Sequence, residues 1–401
     1  MAVLLAAGVA AGAALDAAPG PAFREVTAAA KIAFRHHTGA YGKKYLPETM
    51  GAGLAFVDVD GDADQDLVFV NSTDWPERRR GTHTSALYRN RGDGTFEDAT
   101  RGSGLDVDLY GMGVAAADVD NDGDPDLFLS ALGRDRLLKN DGRGRFADAT
   151  TASGLGDADF STSAAFLDYD KDGDADLYVC NYVKWTAATD IRCTLDGRTK
   201  SYCTPQPYPG SSSRLYRNDG TGRFADVTAA AGLEDPHGKA LGVAVLDYDR
   251  DGWPDLAVAH DTQPNRLYRN RADGTFEEKG LAAGIAFDEG GRARGAMGID
   301  AADYDGSGYP SLVIGNFANE LKSLYHNEGK GFFQDASAAS GLGRASLLSL
   351  TFGAFFFDYD LDGRLDIFLA NGHVENDVQR VQENVSYAQR PHLMRNTGQG
   401  R

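Results

Sequence analysis

Residues Asp118–Ser130 read DVDNDGDPDLFLS, with five aspartates at alternate positions over nine residues and then an abrupt apolar run. Like charges held that close repel one another, and a simple hairpin turn needs none of them. In the pattern D-x-D-x-D-G-x-x-D, the side chains at positions one, three and five converge on one point when the backbone curls tightly. Glycine at position six permits that curl because it accepts positive φ. Position seven offers a backbone carbonyl, and the ninth aspartate can close the site with both oxygens. Hard oxygen donors in flexible geometry suit Ca²⁺ better than Mg²⁺, which demands a stricter octahedron and more water. An EF-hand opens in the same way but requires glutamate at position twelve and flanking helices. Position twelve here is Leu129, an apolar residue of the following run.

The segment recurs five times, starting at Asp58, Asp168, Asp247, Asp303 and Asp358, and position twelve is apolar in every copy: Phe69, Val179, Val258, Ile314 and Leu369. A second motif trails each copy, as in LYRNRGDGTFEDAT from Leu87, LYRNDGTGRFADVT from Leu215 and LYHNEGKGFFQDAS from Leu324. After the last copy it starts as LMRNTGQG from Leu393 and stops short. Each unit therefore predicts four short strands: a Gly/Ala-rich run before the aspartates, the apolar run after them, the LYRN segment, and the TFEDAT segment beyond a glycine turn. Four-stranded antiparallel units recurring at this interval predict an all-β fold, a β-propeller with six repeat units. The small residues of the first strand fit the crowded axis of such a ring. The long interval after the third unit holds an insertion at about residues 182–213. The propeller is expected over residues 22–401, and AFREVTAAAKIAF from Ala22 resembles an outer strand. It would either pair with the last unit or close a seventh blade.

The expected Ca²⁺ ligands are Asp58, Asp60, Asp62 and Asp66 in the first loop and Asp118, Asp120, Asp122 and Asp126 in the second. The third supplies Asp168, Asp170, Asp172 and Asp176, the fourth Asp247, Asp249, Asp251 and Asp255, and the sixth Asp358, Asp360, Asp362 and Asp366. These make about five sites. The first has Ala63 at position six and Gly61 two residues earlier, so a different curl is expected there. The fifth loop carries Ser307 and Ser311 in place of carboxylates, and the stretch Asp303–Ser311 is expected to be weak or empty.

The formal net charge of −19 excludes a nucleic-acid backbone as the natural partner. Of the 59 acidic residues, 25 lie in the six aspartate segments, which points to bound cations rather than a generally acidic surface. Residues 1–20 begin MAVLLAAGVAAGAALDAA, an apolar leader like that of an exported protein, short and mild for a stable membrane span. Export to a periplasmic, extracellular or cell-surface location is expected. Cys193 and Cys203 flank a polar, glycine-containing loop and suit a disulfide, whereas Cys180 lies in an apolar run and suits a buried thiol.

Taken together these residues resemble the FG-GAP/VCBS repeats of integrin α-chain propellers, and more closely the cartilage acidic protein group associated with an ASPIC/UnbV segment. The resemblance rests on YLPETMG, on CNYVKW…CTLDG…KSYCTP, on RGAMGID and on ANGHVEN. It implies a seven-bladed ring whose aspartate loops bind calcium. This sequence departs from that pattern in having six units and no ASPIC/UnbV segment, so an incomplete seven-bladed propeller is expected.

Successive turns of an antiparallel meander alternate between the two ends of a blade. The aspartate loops thus share one face with the glycine turns, and the irregular loops fall on the other. Recognition of a protein or glycan is expected there, with Trp75, Trp185, Tyr182, Arg78, Arg79 and Arg80 as candidates. No catalytic motif is present, so an interaction or adhesion module is the leading reading. The alternatives are an enzyme with a second metal or acid–base site in the axial funnel, built from His260, Glu320 and His373, or a purely structural segment of a longer cell-surface protein. His36 and His37 are treated as ordinary loop residues.

Overall fold

The computed structural model describes residues 23–156 and 158–398, so the leader at 1–20 lies outside the described residues. Strands account for nearly all the regular structure. Blade 2 shows the plan: Tyr110–Ala117, Asp126–Arg134, Arg136–Asn140 and Phe146–Asp148. Every join within it is antiparallel, and the register pairs Ala117 with Asp126, Leu127 with Leu138 and Leu138 with Asp148. Blades 1, 3, 4 and 5 repeat the four-stranded order, and blade 6 contributes Thr351–Phe357, Asp366–Asn371 and His392–Met394. The chain is therefore an all-β propeller of six repeat units. Among the described residues no helix is long and apolar enough to cross a membrane.

The composition of the strands follows from their place. Innermost strands of neighbouring blades pack side by side from blade 1 to blade 6. A Cβ on Gly298 would stand 2.2 Å from the Phe352 carbonyl oxygen, and one on Gly242 would stand 2.5 Å from that of Met297, so only glycine permits this backbone approach. Second strands are apolar and buried on both faces along most of their length, as in Leu256–Ala259, although Phe368 and Ala370 of blade 6 are more open. Side chains from adjacent blades interlock between the sheets: Leu127, Leu129 and Leu138 of blade 2 pack with Val57, Val68 and Leu87 of blade 1.

A hydrogen-bonded staple repeats at every joint. The asparagine that ends each third strand sends its side-chain N–H back to the preceding blade. Asn140 Nδ2 donates to the Val59 carbonyl at 2.9 Å, Asn218 to Val119 at 2.8 Å, Asn270 to Tyr169 at 2.7 Å, Asn327 to Tyr248 at 2.9 Å and Asn396 to Tyr304 at 2.9 Å. Asn90 of blade 1 reaches only its own Gln65 carbonyl.

Residues 23–34 stand between the last blade and the first. At the other joints the leading phenylalanine of an outer strand donates its N–H to a turn carbonyl of the preceding blade, as Phe146 does to Ser103 and Phe276 to Ala231. Phe96 of blade 1 donates in the same way to Ala30. Phe23 in turn lies 6.3 Å from the ring of Tyr359 in blade 6, much as Phe276 lies 6.0 Å from Tyr169. The segment thus occupies the position of a seventh blade's outer strand. It does not extend the sheet of blade 6, which ends at His392–Met394.

Candidate metal centres and the opposite face

Each aspartate loop is organised by its first residue. Asp118 accepts the N–H groups of Asp122 at 3.2 Å and Gly123 at 2.8 Å, and Asp247, Asp303 and Asp358 accept the same pair of amides from their own loops. Two left-handed residues make this curl. One is at position six, where Gly123 has φ 96°. The other is at position four, where Asn121, Lys171, Arg250 and even Leu361 adopt φ between 57° and 61°. The first loop curls alike, with Gly61 at position four and Ala63 bearing φ 70° at position six. The expected difference in curl is absent.

The loop brings the first, third and fifth carboxylates together. Ligand atoms of Asp58, Asp60 and Asp62 lie within 4.8 Å of one another, as do those of Asp118, Asp120 and Asp122 and those of Asp247, Asp249 and Asp251. In the third loop the convergent set is Asp168, Asp170 and Asp176. The fifth-position carboxylate also accepts the position-seven amide, for example Asp122 Oδ1 from Asp124 N–H at 3.0 Å.

The third position distinguishes the loops. One buried oxygen, Oδ1, of Asp60, Asp120, Asp170 and Asp360 has no hydrogen-bond partner, and the same holds for Asp168 Oδ1. A buried carboxylate oxygen without a donor is costly, and an oxygen-seeking cation in the loop would satisfy it. The donor set of these four loops therefore fits Ca²⁺. In the fourth loop Arg269 takes Asp249 at 2.5 Å and Asp251 at 2.7 Å. In the fifth, Asp305 Oδ1 already accepts the Ser307 N–H.

The ninth aspartate does more than close the loop. Asp126 is fully buried, with Oδ2 accepting the Val119 N–H at 3.2 Å and Oδ1 the Asn140 N–H at 2.8 Å. The same two bonds recur at Asp66, Asp176, Asp255 and Asp366, so the residue clasps the loop to the third strand. Burial pushes the Asp126 carboxyl up to about 6 and those of Asp176 and Asp255 to about 7. Ser311 explains the fifth unit: its hydroxyl accepts the Asn327 N–H at 3.0 Å and keeps half of the clasp without charge.

Sequence reasoning missed the basic side chain that faces the loops. Arg89 reaches Asp60 at 3.2 Å, Lys139 pairs with Asp120, Arg395 reaches Asp360 at 2.8 Å, and His326 lies 3.4 Å from Asp305. All occupy the third place of the L-Y-R-N motif, so the signal was present in every copy.

On the opposite face the expected aromatic recognition surface is corrected. Trp75, Trp185 and Tyr182 are buried in one cluster with Tyr45 and Tyr110. The Trp75 indole N–H is bonded to Glu48 at 2.9 Å and that of Trp185 to Asp190 at 3.1 Å. The N-terminal segment and the insertion cover them. Arg78, Arg79 and Arg80 stay exposed. The insertion folds as a hairpin, Cys193–Thr194 against Lys200–Ser201, and carries the Cys193–Cys203 disulfide, while Cys180 is a buried free thiol. Of the funnel trio, Glu320 and His373 line one cavity and His260 does not. His260 turns inward, its Nδ1 accepting the Lys239 N–H at 2.8 Å, and its neighbour Asp261 faces the cavity instead. His37 bonds Asp74 at 2.7 Å and stacks on His83.

A family model described as an FG-GAP-like repeat matches residues 58–129, 121–179, 195–258 and 247–314. The fold and site define a repeat propeller, and the chain belongs to the FG-GAP-like repeat family. It is similar to cartilage acidic protein 1 of Mus musculus, at 30% identity over 169 residues, and to that of Homo sapiens, at 29% over 168 residues. The mouse match covers 39% of this chain and 25% of that protein, and the human match 39% and 24%. The chain thus aligns with only about a quarter of those relatives' length. An Agrocybe aegerita lectin described as recognising non-reducing terminal N-acetylglucosamine aligns at TM-score 0.41 and 16% identity, over 86% of each chain. A likeness of that order carries nothing about function.

Proposed function

We propose that the protein is an exported calcium-binding propeller that serves as an interaction or adhesion module, with calcium holding the aspartate face and the opposite loops meeting a protein or glycan. The observation that carries the calcium reading is the buried, partnerless oxygen of the third-position aspartate in the first, second, third and sixth loops. Asp58, Asp60, Asp62 and Asp66 and their counterparts would hold the ions, which supply the positive charge that one third-strand cation per loop only partly provides. The chain's own groups do the shaping. The first carboxylate holds the curl, the third and fifth present oxygens inward, and the ninth ties the loop to the blade. The Cys193–Cys203 disulfide favours an oxidising compartment. On the opposite face long-range contacts, such as Lys44 and the Tyr202 N–H with Glu375, fix the irregular loops in one arrangement suited to recognition.

Titration calorimetry of the chelator-stripped chain tests the calcium part. Calcium should bind at four or five sites and magnesium far more weakly, whereas heat and stoichiometry near zero would sink the reading. A glycan array and a pull-down with extracellular proteins test the partner class, with substitutions at Arg78–Arg80 expected to weaken any ligand found.

A further inference from the structure

The cavity on the loop face lies where blades 3 to 6 meet the N-terminal segment and the inserted hairpin, and its volume is about 250 Å³. Its walls are largely apolar, with Met50, Leu241, Met297, Phe317 and Phe352 among them. Two carboxyl groups flank Gly295 at one side. A Cβ on that residue would stand 3.2 Å from Asp261 Oδ1 and 3.6 Å from Glu320 Oε2. The other oxygen of Asp261 accepts the Tyr182 hydroxyl at 2.6 Å, and Glu320 Oε2 accepts the Gly295 N–H at 2.8 Å.

No ion pair reaches either carboxylate among the described residues, and Lys239, Lys322 and Arg294 act on the two acids only from beyond ion-pair distance. Lys322 directs its ammonium at the carbonyls of Phe317, Glu320 and Ser349, and Lys239 at that of Pro205. Arg294 is held by Ser323 and Asp335. The third carboxylate of the lining, Glu375, is already paired with Lys44. Burial, with Glu320 nearby, pushes Asp261 up to about 7 against the opposing pull of the Tyr182 hydrogen bond and of Lys239.

An independent feature marks the cavity as a site. His373 is 92% buried, and its Nδ1 accepts the Glu375 N–H at 3.1 Å. Burial favours the neutral ring, which places the proton on Nε2, a buried atom with no acceptor in a residue that lines the cavity. Beside it the backbone is strained: Thr262, a β-branched residue, adopts φ 61° immediately after Asp261.

We infer that this cavity binds a small organic cation, with its ammonium group against Asp261 and Glu320, its apolar body on Met297, Phe317 and Phe352, and an acceptor oxygen facing His373 Nε2. The site uses none of the aspartate loops, so it stands or falls apart from the calcium reading.

The test uses the full chain in saturating calcium and 2-amino-1-phenylethanol as probe, followed by calorimetry and by a soaked crystal. Submillimolar binding is expected. The matched alcohol 1-phenylethanol, which lacks the amine, should bind at least tenfold more weakly. Glu320→Gln and Asp261→Asn should each cost at least tenfold, and Glu320→Gln keeps the test alive if the Asp261 variant fails to fold. His373→Ala should weaken this probe several-fold and 2-phenylethylamine, which lacks the acceptor oxygen, hardly at all. Equal binding of amine and alcohol, unchanged affinity in the carboxamide variants, or no binding of either amine at 10 mM (about ten times the millimolar scale of weak ligands) would overturn the inference.

Discussion

The two faces of this propeller are built on opposite principles. On the aspartate face one local solution is copied blade after blade, with the same curl, the same clasp from the ninth position and a cation from the third strand. On the opposite face one bond does repeat, the asparagine at or just past the end of the second strand donating to the carbonyl two residues before the third strand in blades 1, 3, 5 and 6, but the rest is made once, by contacts such as Lys44 with Glu375 or Tyr202 with Glu48. Repetition marks the part that holds the ring, and singularity marks the part free to specialise. If so, the aspartate face should dominate stability. Stripping calcium is expected to give the largest effect, a fall in melting temperature of more than about 10 °C. Each ion present at a hundredfold excess over its Kd contributes about 2.7 kcal/mol, and several are lost together. Calorimetric melts with and without chelator measure it, and unchanged curves would place stability elsewhere.

The next contrast lies within the aspartate face itself. Asp122→Ala removes an inward carboxylate from a loop with a partnerless oxygen, at Asp120, and should cost one bound ion and up to about 2.7 kcal/mol. Asp305→Ala lies in the loop that carries Ser307 and Ser311 in place of carboxylates, and should cost under about 0.5 kcal/mol with no change in stoichiometry. Equal losses would erase the ranking of the loops.

The staples between blades sharpen the comparison further. Asn270→Ala leaves the Tyr169 and Pro254 carbonyls without their donor, in a fully buried place, and should cost about 2 kcal/mol in urea melts at saturating calcium. Asn90→Ala removes only bonds within its own blade, to the Gln65 carbonyl and from the Gly92 N–H, both at exposed positions, and should cost less than about 1 kcal/mol. Similar values would mean that the staple does not join blades.

What the sequence disclosed follows the same division. Strand order, loop placement and the apolar second strands were legible because they depend on residues within one unit. The staple from Asn140 to Val59 was not, since it links positions in different repeats, although the asparagine itself stood in every copy of the motif. The left-handed residue at position four escaped notice because lysine, arginine and leucine carry no label for positive φ. Trp75 and Trp185 were expected at the surface because each lies in a polar loop. What buries them is the meeting of segments more than a hundred residues apart, visible only when folded. His260 and Asp261 show how sharply this limit acts: one residue of register decides which side chain enters the cavity.

The last contrast belongs to the loop face and concerns pH. Asp261 titrates at about 7 in the folded protein because burial disfavours its charge, against 3.8 in the unfolded chain. Between these values the folded state holds more protons than the unfolded one. The stability associated with the protonated side chain is therefore fully present below about pH 4 and is lost as pH rises through 7. Asp261→Asn does not titrate and lacks that slope. Measured in calcium, where the aspartate loops contribute equally to both proteins, the parent should lose about 1 kcal/mol relative to the variant on going from pH 5.5 to 6.5. Parallel pH profiles would show that Asp261 is already balanced by a charge, and the contrast between a neutralised face and an unneutralised cavity would fail.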